Sequence, residues 1–373
     1  MALAARWLVA PQPAPERWAA DAVAPDSGSV TVFQAPADLP RLLRTPIGAP
    51  REGYSISDPV VAPDGTVWTL QDRRYFEIDN QQLDGFDSRG RTLLALRPDG
   101  TVDVVETPYD GNDEGVRPLC AAADGTLYAQ TITSAVAALG PDGEWREITG
   151  PFTFGDTQGR PPRNEGGPAI DTYVQANGCV VEADGDLLLL DGCTVRRVDA
   201  AGVITTIAGR EGPGTDNVLF GCGEASSREN SVPSPEPLVI NGPATAADLP
   251  RMESIAAGPD GTVWLGSLVG LRRLDRQPDG TYMITTVQTR AFGRQENVIW
   301  SVTPDSLTDI APLDDGRVLV LTRTSLLVLG VDGVLRGTDR RDHRWIAIRN
   351  SELLSVGPVP DGGDGLRLAK APV

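Results

Sequence analysis

The chain has 373 residues, 40% hydrophobic and 23% charged, which suits two or three ordinary domains or one large repeat architecture and excludes a collagen-like or wholly disordered chain. Its 51 acidic residues against 33 basic ones leave a formal charge of -18, which opposes docking on nucleic acid or anionic lipid because both would repel it before contact. With 41 Gly, 31 Pro and only 5% aromatics, the chain reads as many short elements separated by many turns.

The first 28 residues read as an extended arm: between Arg6 and Trp18, two tryptophans are interleaved with three prolines, a composition suited to packing along a body. The apolar start is interrupted by Arg6 and lacks a basic leader, so it reads poorly as a signal peptide, and residence in the cytoplasm is expected. From 29 to 373 a single domain is expected, because one phrase recurs: an apolar run, Asp-Gly, then another apolar run. It occurs at 59–70, 118–129, 179–190, 255–265 and 310–321. Asp-Gly between such runs signals a hairpin, since Gly accepts positive φ and Asp satisfies turn amides. A second hairpin follows each first one, at 93–105, 136–148, 195–207, 271–284 and 326–335. The first hairpins are almost continuously apolar, as strands covered on both faces should be, whereas the second alternate apolar residues with Arg, Asp or Thr, as outer strands should.

Two hairpins make a four-stranded antiparallel unit, and this gradient from inside to outside predicts an all-β fold, a six-bladed β-propeller. Blades are expected at about 58–105, 117–149, 178–208, 253–287 and 309–336. The sixth is expected at 344–369, completed by 29–33, so that N- and C-terminal strands close the ring and remove its exposed edges.

The stretch 195–209, the segment Asn241-Gly-Pro-Ala-Thr-Ala-Ala-Asp-Leu249, the hairpin at 255–264 and a fainter Gly166-Gly-Pro-Ala-Ile-Asp-Thr-Tyr-Val174 together resemble the NHL-repeat propellers of bacteria. The resemblance covers about residues 165–288. The Asn-His-Leu signature itself is missing, since the only histidine is His343. The resemblance implies the fold and names no reaction.

In a propeller of this build the Asp-Gly turns share one face, and the long connections, 71–91, 106–116, 150–177, 209–251 and 288–308, fall on the other. Loops on a rigid scaffold tend to carry binding, so the partner-binding surface is expected there. Its candidates are Arg73, Arg74, Tyr75, Phe76 and Phe86 in the first loop and Arg290, Phe292, Arg294 and Trp300 in the last, the aromatic and Arg composition of interface hot spots. The residues entering the inner strands should ring the central channel: Asp58, Arg117, Asn177, Glu253 and Asp309. Asp58, Asn177, Glu253 and Asp309 are oxygen ligands of the kind that suits Ca²⁺. The calcium-dependent lactonase propellers place a similar set here, whereas Arg117 in the same ring argues for a carboxylate–Arg network that satisfies its own charges.

Other catalytic signals are thin. His343 is the sole imidazole, so no His-based triad or zinc cluster forms except around it. The run 209–214 is glycine-rich but lacks the Lys and Ser/Thr of a phosphate loop. Cys120, Cys179, Cys193 and Cys222 are too few and scattered for a disulfide framework and form no Cys-x-x-Cys pair; they are expected as buried thiols in a reducing compartment, with Cys222 a minor candidate for a reactive one. No catalytic residue, cofactor or metal is assigned, and no nucleic acid or membrane insertion is expected. The reading is a non-catalytic propeller that binds protein partners through its long-loop face. Two alternatives stay open: a structural or receptor-facing subunit of a phage-tail-like contractile particle, and a metal-dependent lactonase or lyase using the central channel.

Overall fold

The computed structural model describes residues 30–34, 53–74, 92–99, 101–109, 116–131, 133–151, 165–210, 241–267, 270–287, 290–291, 307–322, 326–337, 347–349, 352–358 and 365–372. The expected N-terminal arm and His343 lie outside them.

After β1 (Val30–Gln34), blade 1 takes β2 (Gly53–Val61), β3 (Val67–Arg74), β4 (Thr92–Leu96) and β5 (Val102–Val105). Blade 2 takes β6 (Arg117–Ala121), β7 (Leu127–Gln130), β8 (Val136–Leu139) and β9 (Trp145–Glu147), and blade 3 takes β10 (Ala176–Val181), β11 (Leu187–Asp191), β12 (Thr194–Val198) and β13 (Ile204–Ala208). Blade 4 contains β14 (Asn241–Pro243), β15 (Met252–Ala257), β16 (Val263–Ser267), β17 (Gly270–Arg276) and β18 (Tyr282–Thr286). Blade 5 contains β19 (Arg290–Ala291), β20 (Leu307–Pro312), β21 (Val318–Thr322), β22 (Leu326–Leu329) and β23 (Val334–Gly337). The chain ends in β24 (Ala347–Arg349), β25 (Glu352–Pro358) and β26 (Gly365–Pro372).

The all-β propeller class agrees with the sequence, but the six uniform four-stranded blades are corrected to five blades of four or five strands. The fifth strands come from the connections: β14 joins the outer edge of β18 and β19 joins β23, so two linkers that the repeat pattern left as loops complete sheets. The terminal strands form a sheet of their own, in the order β1–β26–β25–β24, whose side chains lie outside the described residues.

The described Asp-Gly turns work as their sequence predicts. In the first, Gly65 adopts φ 91°, its N–H donates to the Ala62 carbonyl at 2.9 Å, and Asp64 Oδ1 accepts the Thr66 N–H at 2.8 Å. A left-handed φ suits glycine because a Cβ would crowd the backbone there.

The blades cohere through apolar seams. Leu187 and Leu189 of β11 pack toward blade 2 with Val136, while Leu188 and Leu190 pack toward blade 4 with Ile255 and Leu265. All four are buried because both faces of the sheet are covered, which is why the strand reads as an unbroken apolar run. Similar seams join blades 1 and 2 through Leu70, Leu93 and Leu127, and blades 4 and 5 through Leu271, Ile310 and Val320.

Two sequence expectations fail in this core. Arg196 and Arg272, in strands whose alternation of apolar residues with Arg, Asp or Thr marked them as outer ones, are 1% and 0% exposed. A propeller blade has a neighbour on each face, so alternation sends a side chain toward one blade or the other. Arg196 Nη2 lies 3.3 Å from Glu165 Oε2, and Arg272 Nη1 donates to Ser267 Oγ at 3.1 Å. The cysteines, expected as thiols, are oxidised: Cys120 and Cys179 form a disulfide between blades 2 and 3, and Cys193 is also disulfide-bonded. Cys222 lies outside the described residues. None of the described helices is long and apolar enough to cross a membrane.

Candidate functional site

Every inner strand loses its register once ahead of its Asp-Gly turn. The irregularities fall between Ser57 and Val60 in β2, Pro118 and Cys120 in β6, Ala176 and Gly178 in β10, Met252 and Ser254 in β15, and Leu307 and Asp309 in β20. A bulge leaves one residue without a ladder partner and re-aims its side chain. In blades 3 and 4 the unpaired residues are Asn177 and Glu253, two members of the expected channel ring.

The other ring members are placed differently. Arg117 pairs in register with Gln130, and its Nη2 donates to Gln130 Oε1 at 2.9 Å and to the Ala176 carbonyl at 2.7 Å, so it bridges blades 2 and 3. Asp309 follows the bulge in β20 and pairs with Leu321. Ile310 faces blade 4, so Asp309 points to the other face of blade 5. Asp58 belongs to β2, and its side chain is outside the described residues.

The electrostatics of this end are uneven. Burial carries the Asp309 carboxyl from 3.8 up to about 7, against a single opposing donor, the Ile310 N–H at 2.8 Å. Arg251 Nε lies 3.5 Å from Glu253 Oε1. Beside Glu253, Ser254 is 6% exposed, and its hydroxyl finds no hydrogen-bond partner among the described residues. A buried hydroxyl of this sort costs free energy unless a partner reaches it.

Ca²⁺ takes about six to eight oxygen ligands. Asn177 and Glu253 present oxygen atoms at the bulges, but Arg117 and Arg251 bring positive charge to the same end, and Asp309 faces a blade seam. The described residues alone do not fit such an ion, and no chemistry below runs through one.

One group of three acids does converge among the described residues: Glu182, Asp184 and Asp186, at the turn end of the seam between blades 3 and 4. Its charges are answered by protein. Tyr282 Oη donates to Glu182 Oε1 and Oε2 at 2.8 and 2.7 Å, Arg276 binds Asp184, and Arg197 Nε lies 3.6 Å from Asp186 Oδ2. Burial pushes the Glu182 carboxyl up despite Tyr282 and Arg276, and the Arg276 hydrogen bond holds Asp184 below the usual carboxylate range. This is an ionic latch between blades.

Of the expected partner-binding residues, Arg73 and Arg74 lie in β3 and Arg290 in β19, within strands where loops were expected. Tyr75, Phe76, Phe86, Phe292, Arg294 and Trp300 lie outside the described residues.

No protein-family model matches the chain, and no curated protein sequence matches it. Solved structures do. A gluconolactonase from Xanthomonas campestris, described as important in glucose secondary metabolic pathways, is 15% identical with a TM-score of 0.50, over 92% of this chain and 95% of its own. A virginiamycin B lyase from Staphylococcus aureus is 11% identical with a TM-score of 0.45, over 93% and 99%, and a streptogramin B lyase is 12% identical with a TM-score of 0.46, over 92% and 98%. At these identities the likeness shows the fold alone. Against the expectation of a non-catalytic scaffold, the similar propeller with the TM-score of 0.50 is a gluconolactonase. The NHL, phage and tail-particle readings find no support in these structures.

Proposed function

We propose that this chain is an enzyme of the lactonase or lyase kind, working at the end of the channel where the inner-strand bulges lie. The observation that carries this reading is the recurrence of a bulge ahead of the turn in all five inner strands, which in blades 3 and 4 leaves Asn177 and Glu253 without a ladder partner. Support of a weaker kind comes from the enzymes that share the fold.

Opening a cyclic ester by water or by elimination needs a group that accepts a proton and a donor that bears the charge developing on oxygen. Glu253 is a carboxylate at the ring and fits the first role. The Asn177 amide fits the second, since it has N–H groups to give. Arg117 anchors the strand that carries Asn177. The substrate class is accordingly a cyclic ester small enough to enter a channel mouth.

Purified chain, challenged with sugar lactones and with a macrocyclic lactone, should open one class, read as proton release or as product mass. Glu253→Gln should lower kcat/KM by about 100-fold, the usual size of a general-base contribution. Turnover that is unchanged in Glu253→Gln, or no turnover on either class with and without added Ca²⁺, refutes the reading.

A further inference from the structure

Blades 2 and 3 are joined more heavily than blade packing requires. The Cys120–Cys179 disulfide links β6 to β10 with Cα atoms 5.4 Å apart, although the two cysteines are 59 residues apart in sequence. The same strands are tied again nearer the ring, where Arg117 Nη2 donates to the Ala176 carbonyl. Asn177 lies between these ties. As a bulge residue it has no ladder partner of its own, so its position follows from what holds the strand on either side. Ala176 is fixed on one side by Arg117, and Cys179 on the other by the disulfide. Glu253 has no covalent tie of this kind in its own strand.

We propose that the Cys120–Cys179 bond and Arg117 form a clamp that positions Asn177, and that thiol reductants open it. Cys179 is 3% exposed, whereas Cys120 is partly exposed, so the accessible sulfur is that of Cys120. The thiolate of a dithiol attacks Cys120 Sγ, the S–S bond breaks, and Cys179 leaves as a thiolate that takes up a proton. The second thiol of the reductant then displaces Cys120. Two cysteines end reduced and the dithiol ends as a disulfide, with two electrons and two protons transferred. Formation of the bond runs the other way and calls for a thiol-oxidising compartment. Any effect on turnover rests on the lactonase or lyase reading; the clamp itself does not.

The test uses the full chain and reads amide hydrogen exchange in β6 and β10 with β16 as a reference, before and after dithiothreitol and in Cys120→Ala/Cys179→Ala. The double substitution isolates this bond from that of Cys193. Loss of the bond should speed exchange in β6 and β10 at least 10-fold while β16 stays unchanged. Arg117→Gln, with the disulfide intact, should speed exchange at Ala176 to Gly178 and release no thiol. Unchanged exchange in β6 and β10 once the bond is gone overturns the clamp. So does loosening of β16 to the same degree, which would make the bond a staple of the whole fold. Two thiols titrating at Cys120 and Cys179 in the folded, air-oxidised protein would overturn it as well. Released strands in a protein with no activity on any lactone would leave the clamp standing and remove the proposed function.

Discussion

Replacing Asp309 by Asn should make the protein more stable at pH 8 than at pH 5 relative to the native chain. Burial raises the folded carboxyl from 3.8 to about 7. A carboxyl whose folded value lies above its unfolded one is bound more tightly by protons in the fold, so its contribution is full below about pH 4 and is lost as pH climbs to 7. Each pH unit of displacement is worth about 1.4 kcal/mol. Between pH 5 and pH 8 the folded group passes through two such units, so the ionised carboxyl costs the fold up to about 3 kcal/mol over that range. Asp309 keeps some surface, and solvent screening reduces the figure toward about half. Asparagine retains the oxygen that accepts the Ile310 N–H and removes the charge. Urea unfolding at pH 5, 6, 7 and 8 should show the variant gaining on the native protein with each step, by about 1.5–3 kcal/mol in all. The difference between the two proteins is the quantity to follow, because Asp184 and Asp260, held low by hydrogen bonds, tilt both curves the other way under acid conditions. A difference that stays flat across this range would mean that the Asp309 carboxyl is solvated or paired, and the reasoning would fall.

Tyr282→Phe should cost about 1–3 kcal/mol, since it removes the hydroxyl that donates to both oxygens of a half-buried carboxylate. Without that donor the Glu182 carboxyl rises further, so the loss measured by denaturation should be larger at pH 8 than at pH 5; equal losses would assign the effect to packing. Gly209→Ala should destabilise by at least about 2 kcal/mol, because Gly209 has φ 82° and a Cβ there would lie 2.2 Å from the Cys193 carbonyl oxygen. Gly185→Ala, at φ 91° with open space around it, carries only the backbone cost of about 1 kcal/mol, and a Gly209 variant no worse than this one would refute the close contact.

The hairpins were legible because their physics is local. Asp-Gly specifies its own turn, and Leu187 to Leu190 announce a strand covered on both sides before any neighbour is known. The fifth strands were illegible because Asn241-Gly-Pro243 and Arg290-Ala291 become strands only when an outer edge is beside them. The buried arginines were misread for a related reason: alternation tells which residues share a face, and only the third dimension tells whether that face meets water. Position counting back from Asp-Gly lands on the bulge residues Asn177 and Glu253, since their blades keep one spacing between turn and bulge. Asp309 stands one residue nearer its turn than Asn177 and Glu253 do to theirs, and the bulge position in blade 5 is Thr308. The disulfide has no local signature, for Cys120 and Cys179 meet only when blades 2 and 3 pack.

The linkers explain why the bulges of blades 3 and 4 fall where they do. The segment before blade 3 first lies along the outer edge of that blade, with the Gly166 N–H donating to the Ile204 carbonyl at 2.8 Å and Ile204 N–H to Gly167 at 2.9 Å. It then fills the seam with Ala169 and Val174 and enters β10 through the bulge at Asn177. The segment before blade 4 repeats the path: Asn241 to Pro243 pair with β18, Ala244, Ala247 and Leu249 fill the seam, and β15 begins with the bulge at Glu253. The described parts of these connections are thus spent on closing edges and seams, which leaves less of them free to project toward a partner than their length alone suggested. Each linker arrives at the channel from the outer rim, across the full width of the blade, and has to turn into the inner ladder. An extra residue at that turn is the natural consequence. The bulge residues are therefore placed by the same connection that seals the blade, and a substitution in a linker such as Gly167 or Leu249 should reach Asn177 or Glu253 through the strand it leads into.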